Sequence, residues 1–263
     1  DSQMLTDHFR TYGDRIACFI VEPFIGAGGY ILADQEYLRT ARALTERYGA
    51  VLIFDEVISG FRFRAGNLGK LYGVQPDLAT FAKIMGGGMP VAAIAGSAKV
   101  MAMCARDGGK ARVSGGTYAA HAASLFAAKT MIEHLIAHEA EIYPYLATLG
   151  ELLRRTTEQV FAREGINVRC TGYPNDAVPG SSMAMPHFVL DPSRKLRSPD
   201  DVNDPRICDH TLREKVFQLA LLCEDVHVVH GLGAVSTAHT QQDLQTYAAA
   251  VQRVARRLKP YIS

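Results

Sequence analysis

An uninterrupted apolar run, Ala50-Val51-Leu52-Ile53-Phe54, stops abruptly at Asp55-Glu56-Val57. It constrains the fold more than any other feature of the chain. Apolar residues without alternation describe a strand buried on both faces, and such strands belong to parallel sheets covered by helices. The preceding segment, 36–48, carries apolar residues at helical spacing and ends at Gly49, a residue that closes helices in the left-handed conformation. Further strand-like stretches at 16–22, 78–82 and 91–95 predict an α/β chain, with a mostly parallel sheet flanked by helices.

A parallel sheet also fixes where chemistry can sit, because ligands bind beyond the carboxyl ends of its strands. Asp55 emerges at such an end, where a carboxylate can pair with a protonated pyridine nitrogen. It can equally cap the following turn or pair with Arg62. Lys83 follows the apolar stretch 78–82 and precedes Ile84-Met85-Gly86-Gly87-Gly88-Met89-Pro90. An amine held against a close-packed, dry backbone is poorly solvated, which favours its neutral form. A neutral lysine amine is the nucleophile that forms a Schiff base with an aldehyde. The glycines let a backbone or a flat ligand approach closely. The alternative is a solvated loop lysine.

Together these segments resemble a known family. Ile20-Val21-Glu22-Pro23, the stretch from Tyr48 to Arg62, Gly73-Val74-Gln75-Pro76-Asp77-Leu78, and Lys83 with Gly86-Gly87-Gly88-Met89-Pro90 resemble class III aminotransferases. These are fold-type I pyridoxal-phosphate enzymes, and the glutamate-1-semialdehyde aminomutase-like branch is the nearest in flavour. The resemblance implies pyridoxal 5'-phosphate as cofactor, bound as a Schiff base to Lys83, which would also move the substrate Cα proton. Asp55 would bind the pyridine nitrogen. Val57, two residues along an extended segment, would pack on a ring face. Ser114-Gly115-Gly116-Thr117 resembles the loop whose Gly116-Thr117 pair would reach the cofactor phosphate of a neighbouring subunit. Thr117 could instead simply cap the next helix.

The implied activity moves an amino group between a small-molecule amino donor and a carbonyl acceptor. An intramolecular aminomutase, a racemase or decarboxylase on the same scaffold, and a non-catalytic half of a split enzyme are the alternatives. Family members carry a further N-terminal portion with another phosphate-binding turn, so this sequence resembles the C-terminal part of a subunit. Its expected assembly is a homodimer with shared active sites, or a heteromeric assembly with a chain carrying the missing part.

Composition excludes other classes. The 263 residues, 48% hydrophobic, are enough for one substantial core and a smaller one. A net charge of +1 names neither nucleic acid nor an anionic membrane as a partner. Cys18, Cys104, Cys170, Cys208 and Cys223 form no disulfide framework or metal-ligand spacing, which fits a reducing, cytoplasmic setting. His227, His230 and His239 have no helical pairing or linked acid that would suit a metal. Met85, Met89, Met101 and Met103 read as core filling. Arg62 has the fork to bind a substrate carboxylate, and Glu22 reads as a structural ion pair.

Residues 1–164 are expected to form the C-terminal portion of the large cofactor-binding domain, including long helices at 119–136 and 139–163. Residues 165–263 are expected to form a smaller α+β domain. In it, 183–190 is an edge or bulged strand because of Pro186, and polar, Pro-rich 191–206 is a loop. A helix spans 207–222, with strands at 226–229 and 235–238. Thr240 and Asp243 cap a last helix, 241–258.

Overall fold

The computed structural model describes residues 1–104, 110–111, 116, 119–229 and 233–262. They fall into two compact units, Asp1–Phe24 with Ala33–Glu139, and Ile25–Leu32 with Ala140–Ser263.

The chain opens with α1 (Ser2–Tyr12), whose first amides bond the Asp1 side chain. β1 (Cys18–Val21) follows, and β2 (Phe24–Ile25) and β3 (Ile31–Leu32) pair with each other. α2 (Gln35–Tyr48) begins at Asp34, whose carboxylate accepts from the Glu36 N–H, and ends at Gly49 with φ 69°. Its Leu38, Ala41 and Leu44 are buried, as the helical spacing requires. Then come β4 (Val51–Glu56), α3 (Gly69–Tyr72), β5 (Leu78–Phe81), β6 (Ala93–Gly96), α4 (Ala98–Met101) and α5 (Ala122–Ala137).

The first unit's sheet has the order β1-β4-β5-β6. β4 runs parallel to both neighbours, and β6 closes the row antiparallel to β5. The expected mostly parallel sheet is therefore present. Double burial is not. Leu52, Phe54 and Glu56 point to a face that is fully buried, whereas Val51, Ile53 and Asp55 are half-buried on the other. Ile20 is in register with Ile53, and Ile94 with Thr80, which itself pairs with Asp55. Both isoleucines are 56% exposed. The apolar run is thus covered on one face only among the described residues.

The second unit contains α6 (Glu139–Arg163), β7 (Val168–Thr171), β8 (Met183–Phe188), α7 (Pro199–Asn203), a π-helical stretch Leu212–Phe217 running into α8 (Gln218–Leu222), β9 (Gly233–Ala234) and α9 (Gln241–Leu258). Its core joins Leu149, Leu153, Val160 and Phe161 of α6 to Phe188, Phe217 and the apolar stripe of α9. That packing groups α6 with the residues after it, although the sequence places the helix in the earlier domain.

Several local expectations change. Residues 191–206 are more than a loop, because α7 carries a reciprocal Ser198–Asp201 capping box and buries Val202. Gly28 and Gly29 make room for it: a Cβ on Gly29 would meet Val202 Cγ2 at 2.6 Å. β8 is the middle strand of β7-β8-β9, not an edge. Pro186 is tolerated there because it sits opposite Cys170, whose N–H goes to Glu158 Oε1 at 2.7 Å. Ile207 and Cys208 precede the late helix, with Cys208 bridged to Val189. Of the strand expected at 226–229 only a bridge at Val229 is present, and no residue of 235–238 is in a strand, the two-residue β9 lying just before it. α9 carries the expected Thr240–Asp243 box. Among the described residues no helix is long and apolar enough to cross a membrane.

Candidate active site

The parallel strands deliver their carboxyl ends to one edge of the sheet: Val21 then Glu22, Glu56 then Val57, and Phe81 then Ala82 and Lys83. Asp55 is the penultimate residue of β4 and lies in register with Thr80 of β5. Its Oδ1 accepts from Thr80 Oγ1 and from the Val57 N–H, each at 3.1 Å. The first contact ties two strands together; the second turns the chain out of the sheet. Val57 therefore opens a turn and does not continue an extended segment. The strand-parity reason for placing it beside Asp55 fails, and the Asx-type bond to Asp55 sets its position instead.

Lys83 begins a 3-10 turn, Lys83–Gly86, immediately beyond β5. Its φ is 51°, in the left-handed region that side-chain-bearing residues rarely adopt. Strained positions of this kind cost of order 1–3 kcal/mol and cluster at functional sites. Gly87 (φ 58°) continues the turn, and a Cβ there would press on Ala127 O of α5 at 3.3 Å. Met85 is buried beneath the turn, as expected, while Met89 and Met103 are exposed. Lys83 is itself exposed among the described residues. Gly87 brings α5 against the turn's backbone, and among the described residues nothing encloses Lys83 in the dry surroundings expected for its amine.

Asp55 and Lys83 thus stand at the same end of adjacent strands, with Lys83 three residues past the one paired to Asp55. Gly116 is described and exposed; Thr117, Ser114 and Gly115 lie outside the described residues, as does His230. α5 is capped by His121, which accepts from the Ser124 N–H. Arg62 donates from Nε to Ile58 O at 3.0 Å. A cavity of about 590 Å³ opens on the other face of the sheet, lined by Arg64, Asn67, Lys70, Phe81 and Ala95 among others. Neither Asp55 nor Lys83 lines it.

Glu56 escaped the sequence reading. It points opposite to Asp55, is fully buried, and accepts from Leu68 N–H at 2.7 Å and Ser59 Oγ at 3.0 Å. A charged residue ending an otherwise apolar strand was the signal, but which of two adjacent acids faces inward depends on strand parity.

A family model described as aminotransferase class-III matches residues 2–172. Glutamate-1-semialdehyde 2,1-aminomutase of Pyrobaculum islandicum is 33% identical over 256 residues, covering 96% of this chain and 56% of that protein. The protein of the same name from Thermodesulfovibrio yellowstonii is 31% identical, covering 97% and 55%. Among solved structures, a β-phenylalanine aminotransferase from Variovorax paradoxus has a TM-score of 0.82 at 28% identity, covering 98% of this chain and 56% of that one. An ω-transaminase from Sphaerobacter thermophilus has a TM-score of 0.84 at 29% identity, covering 97% and 55%. The chain spans a little over half the length of each.

Proposed function

This chain belongs to the class III aminotransferases, and on that footing we propose that it takes part in pyridoxal-phosphate-dependent amino transfer, with Lys83 as the reactive amine. The observation that carries the proposal is the left-handed Lys83 at the end of β5, beside Asp55 at the end of β4. A bound pyridoxal phosphate supplies an aldehyde and an electron-withdrawing ring. Asp55, oriented by Thr80 and Val57, would keep a proton on the ring nitrogen. Val57 would pack on a ring face, and Gly116 with Thr117 would reach the phosphate of a cofactor in a neighbouring subunit. Lys83 Nζ would bind the aldehyde carbon and carry the proton to and from the substrate carbon. These donor types fit the cofactor's charged and aldehyde groups.

The substrates would be a small-molecule amino donor and a carbonyl acceptor. The likeness to a β-phenylalanine aminotransferase favours a two-substrate reaction, and the aminomutase relatives favour intramolecular transfer as the second reading. The half-open sheet face and the exposed Leu125 and Phe126 of α5 support association with further polypeptide: a second copy, or a chain supplying the rest of the family's length. Free cysteines fit a cytoplasmic setting.

Incubation with pyridoxal phosphate, borohydride reduction and peptide mass analysis test the assignment. A phosphopyridoxyl label concentrated on the Lys83 peptide, and lost in Lys83→Ala, is expected. Equal labelling of the other lysines, or undiminished total labelling of the variant, overturns it.

A further inference from the structure

We infer that Glu56 is a positioning residue: its carboxyl group clasps both ends of the 57–68 excursion and so holds Asp55 and Val57 in place. The inference rests on the cofactor site proposed above.

The excursion leaves the sheet at Glu56 and returns at Leu68, fully buried at the start of α3. Glu56 Oε2 accepts from Ser59 Oγ near its beginning, and Oε1 from the Leu68 N–H at its end. The Glu56 carbonyl also accepts from Gly60 N–H at 2.9 Å. Gly60 is required there, because a Cβ would lie 2.6 Å from the Phe81 ring and 2.7 Å from Glu56 O. One residue thus gathers three points of a twelve-residue span whose first member, Val57, is bonded to Asp55.

Its surroundings decide the sign of any pH response. Arg64 is the charge acting on Glu56, and it is itself drawn to Glu139 at 3.7 Å. β5 presents the apolar Phe81, and α3 presents backbone from Gly69. Burial pushes the Glu56 carboxyl up to about 7, against the opposing Leu68, Ser59 and Arg64 contacts. An opened excursion would hydrate Glu56 and return it to the ordinary carboxylate range. The closed form therefore holds the proton more tightly. Closure is strongest below that ordinary range and weakens as pH rises through about 7.

Hydrogen exchange of the full chain between pH 5 and 8, corrected for intrinsic rates, reads this directly. In the wild type, protection of the Val57, Gly60 and Leu68 amides should fall on the order of a hundredfold across that range. Glu56→Gln keeps both hydrogen bonds without a charge, so its protection should stay high and flat. Ser59→Ala, which removes one donor to the charged form, should move the wild-type midpoint to higher pH. A Glu56→Gln profile as steep as the wild type, or an unmoved Ser59→Ala midpoint, overturns the clasp. Pyridoxal phosphate affinity is measured alongside. Glu56→Gln should bind more tightly than the wild type at both pH 6 and pH 8.5, by a ratio that grows about tenfold between them; an equal ratio at both values overturns the link to Asp55. Failure of either protein to bind at any pH removes the cofactor reading, and exchange still judges the clasp.

Discussion

His187 is the residue where chemistry and packing conflict most sharply. It lies on β8, 1% exposed, between Thr171 and Arg213. Arginine only donates, so Nδ1 accepts from Arg213 Nη1 at 2.7 Å, and Nε2–H donates to Thr171 Oγ1 at 2.9 Å. A proton on Nδ1 would face a guanidinium. Burial first, and then Arg213, hold the imidazole down at about 3. A base depressed in the folded chain contributes stability above its ordinary value, and that stability is lost as pH falls from there toward about 3. The wild type should lose a few kcal/mol over that window. His187→Gln, which cannot ionise, should show a flatter fall of the urea midpoint between pH 6.5 and 4. Parallel curves would remove the histidine as the cause. None of this was legible in the sequence, where an isolated histidine in an apolar strand carries no sign of its partners, sixteen and twenty-six residues away.

At the scale of elements, periodicity gave what depends on local pattern. α2 with its Gly49 stop, β4, β5 and the capped α9 are all readable from spacing and end residues, whereas the Asp34 cap emerged only in the structure. What depends on a partner across the fold was hidden. The two-residue β9 exists only through its pairing with Met183 and Ala184 of β8, which no local window contains, and the π-helical stretch at Leu212–Phe217 carries no spacing signal of its own. α6 shows the same limit. Its apolar spacing predicts a helix, but Gly150 is decided by the extended segment that leads into β8, far along the chain. A Cβ there would stand 2.0 Å from Ser181 O, a backbone atom that cannot swing aside. Gly150→Ala should therefore cost roughly 3 kcal/mol or more, despite alanine's better helix propensity. Chemical denaturation measures this, and a neutral or stabilising result would mean that α6 and Ser181 separate easily.

At the scale of the whole molecule, the informative feature is a sheet finished on one side. Ile20 and Ile94 flank Asp55 and Thr80 on a half-open face, beside edge strands that carry no charged guard. The chain should bind an apolar dye there, and the double substitution Ile20→Lys with Ile94→Lys should cut that fluorescence severalfold. An unchanged signal would move the sticky surface elsewhere, with Phe126 of α5, 73% exposed, the next to test. The DE-terminated run and the glycine-rich turn announced both the sheet and the candidate site. Exposure of one face was not announced, because an unbroken apolar run looks identical whether its second cover comes from its own chain or from another.

The twisted backbone at Lys83 has a corollary for heat resistance. Glycine or asparagine would rest there more comfortably, yet neither can offer an amine. The position sets heat resistance against the proposed reactivity within a single side chain. Lys83→Gly should therefore melt higher than the wild type, while losing the amine on which the proposed reaction depends.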